Sequence, residues 1–362
     1  MMLFYWSKLL YLVSFLAPTF ASVHAEGLSP QLPHRVIHQF PVMTWLQSVY
    51  VRSNGDVLTA TASPDASVYY VSGATTEEPV VSLLHRFKGL NVTTVVMEYE
   101  PDVYIAIAGQ QSTLGRGING TFGMWQLDFR PTVRTNPGSP SITELVHFTE
   151  GGLCSGLDKL PNAPHILLVS DATLGGVWRV DLRSRKMHLA IQDIHMRPLP
   201  WALTQAGITN VHIRDGYLYF SNSYEATVYR LPITEDGYAA HDGDSEVVKK
   251  LRSLFVDNFA FGPRGGETMW APSHANNQLL AITSDGQDTV VLGTPNEMTL
   301  AGPVATMFGK LENDTDTLYV VTDGGLLTAI NGTTIEGGKI VAVDTRPFFT
   351  SPLSDSSEPE DL

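Results

Sequence analysis

Hydrophobic and polar residues alternate along most of this chain, and the alternation returns in six similar copies. Each copy begins with a turn and continues into an apolar segment that ends in small polar residues. The six apolar segments are Asp56–Thr61, Asp102–Ile107, His165–Ser170, Gly216–Ser221, Glu267–Pro272 and Asp316–Val321. Alternation with a period of two, rich in Val and aromatic residues, is typical of β-strands. The pattern therefore predicts an all-β protein built from repeats.

A second alternating segment follows each apolar segment. The second segments are Ser67–Val71, Gly123–Asp128, Gly176–Asp181, Thr227–Leu231, Gln278–Ile282 and Lys339–Asp344. Successive copies begin roughly 45 to 65 residues apart, which is the size of a four-stranded propeller blade. A single blade cannot bury both of its faces, whereas a ring of blades can. The repeats thus predict a six-bladed β-propeller rather than the alternative fold, a pair of β-sandwiches.

The predicted ring also needs a closing contact between its two ends. Arg35–Phe40 precedes the first full copy and has the alternation of a strand. We expect this N-terminal strand to pair as the outermost strand of the last blade, because closure removes exposed sheet edges.

Both ends of the chain differ from the repeats. Residues 1–25 combine a positive charge at Lys8, the apolar run Leu9–Leu16 and small residues before a cleavage site, which is the pattern of a secretory signal peptide. An uncleaved anchor is the alternative, although the run is short for a bilayer. Residues 350–362 are acidic and predict a disordered tail. The propeller is therefore expected over residues 26–349, in a protein that is secreted or retained in the secretory lumen.

The formal net charge of −14 argues against nucleic acid or an anionic membrane as a partner. Four N-x-Thr sequons fit a secretory route and predict glycosylation at Asn91, Asn119, Asn313 and Asn331.

Because Cys154 is the single cysteine, the chain forms no internal disulfide, and a packed thiol is expected there. Stability must then come from the core and from ring closure.

Several stretches resemble fungal proteins of the SMP-30/gluconolactonase/LRE-like group. They are Trp45–Gly55, Asp171–Asp181, Gly207–Ser223, Val256–Phe261, Leu300–Pro303 with Phe308–Gly309, and Glu336–Lys339. The resemblance implies a six-bladed propeller of the SMP-30/TolB-like kind. Hydrolases of that group hold Ca²⁺ or another divalent ion at the top of the central channel, with Glu, Asn and Asp ligands.

The residues that align with those ligands depart from the pattern. They are Gln47, Ser155, Thr209 and Asn258, none of which carries a negative charge. Neutral oxygens alone bind a divalent cation weakly, because they replace its hydration shell without compensating its charge. We therefore expect no metal and no other cofactor, and we expect these four side chains to hydrogen-bond an organic ligand.

The resemblance extends to the fungal hetero-Diels-Alderases of tropolonic sesquiterpene biosynthesis, which share the fold, the signal peptide and the missing charged ligands. It implies a lyase or cyclase of secondary metabolism. Such an enzyme dehydrates a hydroxymethyl tropolone or phenol to a quinone methide and guides its intermolecular cycloaddition to a terpene alkene. The expected substrate is hydrophobic or aromatic. Trp45 would stack on its ring, and Asp257 or His274 would transfer a proton.

Two other readings of the function stay open. One is a Ca²⁺-dependent lactonase or related hydrolase, and the other is a non-catalytic propeller that binds a partner on its top face.

A G-x-G-x-x-G match at Gly115–Gly120 precedes a strand rather than a helix, so we interpret it as a hairpin loop. The sequence leaves the oligomeric state open.

Overall fold

The computed structural model describes residues 31–350, except 114, 131–138, 203, 242, 253 and 254. The predicted signal peptide, and all but the first residue of the predicted acidic tail, lie outside the described residues. The described part forms six four-stranded antiparallel sheets, one for each predicted repeat. The prediction of a six-bladed β-propeller is confirmed.

The strands follow the chain from the innermost to the outermost position of each blade. The strand that precedes the first blade is β1 (His34–Gln39). Blades 1 to 3 contain β2 (Trp45–Val51), β3 (Val57–Ser63), β4 (Ser67–Ser72), β5 (Val80–Arg86), β6 (Val92–Glu100), β7 (Val103–Gly109), β8 (Phe122–Asp128), β9 (Ser141–Phe148), β10 (Cys154–Leu160), β11 (Ala163–Asp171), β12 (Gly176–Asp181) and β13 (Lys186–Gln192). Blades 4 to 6 contain β14 (Ile208–Arg214), β15 (Tyr217–Asn222), β16 (Thr227–Pro232), β17 (Glu246–Lys250), β18 (Ala260–Phe261), β19 (Met269–Ser273), β20 (Gln278–Ile282), β21 (Asp288–Leu292), β22 (Pro303–Phe308), β23 (Thr317–Thr322) and β24 (Lys339–Asp344).

The six apolar segments of the sequence correspond to the second strand of each blade. Strand β7 is buried at all of its positions, and β19 likewise. The outermost strand β5 is instead half-exposed along its length. The second strand is the most apolar because both of its faces pack against neighbouring blades.

The ring closes through the N-terminal strand, as predicted. Strand β1 pairs antiparallel with β24, with His34 opposite Val343 and Gln39 opposite Lys339. It is therefore the outermost strand of blade 6, whose other strands are the last three of the chain. The two ends of the propeller are thereby held in one sheet.

Three short helical segments accompany the strands in the described residues. Two are single 3₁₀ turns, Ile194–Met196 and His274–Asn276. The third, α1 (Arg346–Thr350), follows β24 and was not predicted. Its Phe348 ring packs against Trp270 at 5.3 Å between centroids. None of these helices has the length and apolar character needed to cross a lipid bilayer.

The glycine motif at Gly115–Gly120 lies in the connection between β7 and β8, so the hairpin-loop interpretation is confirmed. This connection packs against the loop that precedes β10, since a Cβ on Gly117 would lie 2.6 Å from the Leu153 nitrogen. The asparagines of the four sequons are all exposed, as attachment of a glycan requires. Glycosylation stays a prediction.

A charged network links the far ends of the innermost strands. Lys310 Nζ donates to Tyr50 Oη at 2.9 Å and lies 3.4 Å from the Glu98 carboxylate. Lys159 Nζ donates to the Glu98 carbonyl at 3.2 Å. These contacts join blades 6, 1, 2 and 3, whereas the candidate site lies at the opposite, N-terminal ends of the same strands.

Candidate functional site

Three of the predicted site residues occupy equivalent irregularities in the innermost strands. In β2 the pairing shifts between Leu46 and Ser48, which leaves Gln47 as an extra residue. In β14 it shifts around Thr209, and in β10 the shift spans Ser155. A β-bulge of this kind re-aims a side chain and interrupts regular pairing. These three residues therefore lie where the regular pairing of the innermost strands is interrupted.

The hydroxyls at these bulges connect neighbouring blades. Thr94, at the bulge of β6, donates to the Cys154 carbonyl at 2.7 Å. Ser155 Oγ donates to the Thr209 carbonyl at 2.8 Å, and Thr209 Oγ1 to the Asp257 carbonyl at 3.2 Å. Because each hydroxyl proton is already used, Ser155 and Thr209 would meet a ligand mainly as hydrogen-bond acceptors.

A second layer of hydroxyls, which the site prediction missed, surrounds the first. Ser170 Oγ lies 3.2 Å from Ser155 Oγ. Ser221 Oγ and Ser223 Oγ lie 3.1 and 2.7 Å from Thr209 Oγ1. Two of these serines end the apolar segments of the repeat, so the small polar residues at those ends were the signal that could have identified them.

Asp257 and Asn258 lie in the connection between blades 4 and 5, directly before β18. The Asp257 carboxylate accepts a short hydrogen bond from Ser223 Oγ. The Asn258 Oδ1 atom is buried and has no hydrogen-bond partner among the described residues. Asp257 therefore brings a carboxylate to the hydroxyl cluster, and Asn258 has an unused acceptor beside it.

His274 follows β19 and forms a fully buried pair with Asp323, which the sequence analysis did not identify. His274 Nε2 lies 3.0 Å from Asp323 Oδ2. The amides of Gly325 and Leu327 donate to the same carboxylate at 2.7 and 2.8 Å. The carboxylate is thus fixed from the backbone. His274 Nδ1 has no hydrogen-bond partner in the described part of the chain.

The charge of His274 depends on this pair. Burial by itself lowers the pKa of His274, but the negative charge of Asp323 and the contact with its carboxylate outweigh burial and raise the pKa above the ordinary value. The Asp257 charge contributes in the same direction. The pair therefore favours the protonated imidazolium, the form that can give up a proton.

Gly302 makes room for the Asp323 carboxylate. Its φ of +62° lies in the left-handed region, and a Cβ there would come within 1.8 Å of Asp323 Oδ1. A Cβ would also approach His274 Nε2 to 3.0 Å. Any side chain at this position would displace the His–Asp pair, which accounts for glycine here.

Trp45, the predicted stacking residue, lies beside His274. The two rings meet edge to face with centroids 5.9 Å apart. Trp45 Nε1 is buried and has no hydrogen-bond partner within the described ranges. The indole therefore packs against the imidazole, and the ring contact that the structure shows for Trp45 is with the protein.

A row of aromatic rings, absent from the sequence prediction, continues from His274. Phe255 lies 6.2 Å from His274, Tyr224 lies 4.7 Å from Phe255, and Trp201 lies 5.5 Å from Tyr224, between ring centroids. We call Trp201, Tyr224 and Phe255 the aromatic row. The row runs from the buried His274 through the buried Tyr224 to Trp201, which is exposed.

Two further histidines, His195 and His212, and the cysteine Cys154 make other contacts. His195 stacks on Tyr229, and His212 Nε2 contacts the Phe259 carbonyl at 2.6 Å. Cys154 is fully buried, and burial raises the pKa of its thiol well above the ordinary value. The expectation of a packed thiol is therefore confirmed.

The donor set of the site does not fit the divalent cation that the fold resemblance implies. The hydroxyls of Ser155 and Thr209 are bonded to backbone carbonyls, and the Asp257 carboxylate accepts from Ser223. Among the described residues, no three or more His, Cys, Asp or Glu side chains are grouped so as to hold a metal ion. Calcium favours several carboxylate and carbonyl oxygens, so these residues do not supply its usual ligands.

Replacing Thr209 by valine is expected to destabilise the ring by about 1 kcal/mol, because the buried groups around its hydroxyl lose a partner. Ser221 Oγ still donates to the Asp257 carbonyl at 2.7 Å, which limits the loss. Urea unfolding monitored by tryptophan fluorescence measures it. The exposed Thr143 of β9 provides the matched control, Thr143→Val. Equal effects of the two substitutions would mean that the Thr209 link adds no stability.

The fold and the site define a six-bladed β-propeller with a hydroxyl-rich channel mouth. It is similar to the crystal structure of regucalcin, a calcium-binding protein from Agrobacterium tumefaciens, with a TM-score of 0.58 and 11% identity over 88% of this chain and 97% of that chain. A luciferin-regenerating enzyme also matches, with a TM-score of 0.58 and 9% identity over 86% and 95% of the two chains. Identities this low show a shared fold and nothing more. No family model matches the chain.

Two relatives are more similar in sequence. The "Putative hetero-Diels-Alderase" of a Phoma species is 30% identical over 318 residues, which cover 82% of this chain and 88% of the relative. The "Putative hetero-Diels-Alderase asR5" of Sarocladium schorii is 28% identical over 360 residues, with 90% and 87% coverage. The chain belongs to the family of these two proteins.

Proposed function

We propose that this protein is a hetero-Diels-Alderase of fungal secondary metabolism that dehydrates a hydroxymethyl-bearing phenol or tropolone and adds the resulting quinone methide to an alkene. Membership of the family supports a pericyclase-type role. The observation that carries the proposal is the pairing of His274 with Asp323 beside a second carboxylate, Asp257. The two groups supply an acid and a base next to an apolar surface.

Dehydration requires a proton donor and a proton acceptor. Protonated His274 gives its proton to the leaving hydroxyl, which departs as water when the carbon–oxygen bond breaks. Asp257 accepts the proton of the ring hydroxyl as the ring becomes a quinone methide. One proton is given and one is taken, so no oxidant or reductant is consumed. Acid–base catalysis of this kind accelerates a reaction typically by 10²–10⁴.

The hydroxyl cluster orients the oxygenated reactant. Thr209 and Ser155 present acceptor lone pairs, since their protons bond to backbone carbonyls. We assign the amide groups of Gln47, on the bulge of β2, and of Asn258, which has an unpartnered Oδ1 among the described residues, to the same oxygenated reactant. The cycloaddition then forms one carbon–oxygen and one carbon–carbon bond without a nucleophile. Positioning of the two reactants is therefore the main contribution needed from the protein in this step.

The proposal is tested by incubating the purified protein with a hydroxymethyl phenol or tropolone and an alkene. We expect faster formation of the cycloadduct than in buffer, and a single stereoisomer. A rate and stereochemistry equal to those of the buffer control would refute the proposal. A parallel incubation with a lactone, with and without added Ca²⁺, measures the alternative hydrolase activity, which the neutral donor set disfavours.

A further inference from the structure

We propose that the aromatic row is the subsite for the apolar alkene reactant, and that Trp201 determines how tightly the alkene binds. This inference rests on the proposed function and assigns its second substrate to named residues. The Trp201 side chain is 65% exposed although it is among the largest apolar groups of the chain. A single exposed aromatic residue is ordinary, but Trp201 continues a row of rings that ends at the acid–base residues.

The polar and apolar halves of the site are built on the same two chain segments. Ser223 bonds to Thr209 and Asp257, and the next residue, Tyr224, belongs to the aromatic row. Phe255 belongs to the row, and Asp257 is two residues further along. The Phe255 amide donates to the Ser223 carbonyl at 2.9 Å and holds the two segments together. A ligand on the row would therefore lie directly beside a ligand on the hydroxyl cluster.

The hydrogen-bonding capacity of Tyr224 is directed away from a ligand. Its hydroxyl accepts from the Thr204 amide at 3.1 Å and from Thr204 Oγ1 at 3.0 Å. These bonds fix the segment that contains Trp201 against blade 4. Buried Ala202 and Ala206 pack on the same tyrosine. Because Tyr224 is itself buried, the row offers a ligand mainly the rings of Trp201 and Phe255, which bind a hydrocarbon by burial of apolar area.

The two reactants differ in the chemistry that can recognise them. The oxygenated reactant has hydroxyl groups that the cluster around Thr209 can bond, whereas an alkene has no hydrogen-bonding atom. Binding of the alkene must come from apolar contact, and the aromatic row supplies such contact next to His274. This division places the alkene on the row and the oxygenated ring over the hydroxyls, with the reacting atoms between them.

The experiment measures KM for each reactant separately in Trp201→Ala. We expect KM for the alkene to rise roughly ten- to a hundredfold, as loss of an indole contact predicts, while KM for the hydroxymethyl reactant changes less than twofold. Trp201→Phe, which keeps a ring, should recover most of the affinity. The control is Tyr238→Ala. Tyr238 is an exposed aromatic residue of blade 4 that stacks on His188 of blade 3, away from the row.

Direct binding separates this inference from the proposed function. Titration of a terpene hydrocarbon that contains an alkene, followed by calorimetry without the second reactant, should show binding to the wild type and loss of binding in Trp201→Ala. That result supports the subsite even if no cycloadduct forms, in which case only the proposed reaction fails. An unchanged alkene KM and unchanged hydrocarbon binding in Trp201→Ala would overturn the subsite while leaving the reaction intact.

Discussion

Replacing His274 by glutamine is expected to lower kcat of the dehydration and cycloaddition by roughly 10²–10⁴. Glutamine keeps a polar side chain of similar length but cannot donate a proton to a leaving hydroxyl. The imidazole is fully buried against Asp323, and the rings of Trp45 and Phe255 both contact it edge to face. Because those neighbours position the ring, we expect the loss in kcat rather than in KM.

The pH profile tests the role of His274 more directly. The reaction needs the protonated form, so kcat of the wild type should fall as pH rises through the raised pKa of His274. Asp323→Asn removes the charge that raises this pKa, so the fall should move to lower pH. Stability follows the same sign. The pair stabilises the fold fully below the unfolded pKa of about 6.5 and loses this contribution as pH rises through the folded pKa.

Asp323 acts through His274 and is a positioning residue. Its variant is therefore judged by the pH profile of kcat, which a loss of folded protein would not shift. Asp323→Asn keeps one acceptor oxygen and therefore retains only one of the two backbone bonds, in which the Gly325 amide donates to Oδ1 and the Leu327 amide to Oδ2. Circular dichroism establishes that the variant is folded before its pH profile is compared. An identical pH profile in wild type and Asp323→Asn would show that the pair does not set the proton affinity of the catalytic group.

The largest effect on stability is expected for Trp270→Ala, which should cost about 3–5 kcal/mol. Trp270 is fully buried, and its Nε1 donates to the Gly262 carbonyl at 2.9 Å. Its ring packs edge to face on Phe308 and Phe348 at 6.0 and 5.3 Å. Truncation leaves a large cavity and a carbonyl without its partner at the contact between blades 5 and 6. Guanidinium unfolding at equilibrium measures the loss.

Trp201→Ala provides the matched control for Trp270→Ala, since both remove the same side chain. Trp201 is 65% exposed, so its removal should change the free energy of unfolding by less than about 0.5 kcal/mol. The two variants also separate stability from binding, because Trp201 is proposed to contact a substrate. If both substitutions cost the same free energy, the assignment of Trp270 to the core would be wrong.

The hydrogen bonds of Ser155 and Thr209 show how this chain uses positions that align with metal ligands in related propellers. At the positions that the resemblance aligns with metal ligands, this chain has Ser155 and Thr209, whose protons bond to the next blade. In this protein, hydroxyls at these bulges therefore link neighbouring blades by hydrogen bonds. A propeller can change its chemistry at such positions because the blades, rather than the channel residues, carry most of the core.

The sequence by itself determined the architecture. Strand alternation and repeated turns are local patterns, so they can be recognised without knowing which residues are in contact in the folded protein. The sequence located six blades and the closing strand near Arg35. The family resemblance singled out Gln47, Ser155 and Thr209, and the structure shows that they lie at bulges of the innermost strands. The sequence also selected His274 and Asp257 as candidates, and the structure shows His274 buried against Asp323 and Asp257 bonded to Ser223.

Only the tertiary structure decided which distant groups meet. Asp323 lies 49 residues after His274 in a different blade, and no local pattern marks it as a partner. The aromatic row joins Trp201 and Phe255, from the connections before and after blade 4, with Tyr224 from a turn within that blade. Each of them resembles an ordinary loop residue in the sequence. Contacts between blades depend on ring closure, a long-range constraint, so the charge of His274 and the apolar half of the site emerge only once the ring is formed.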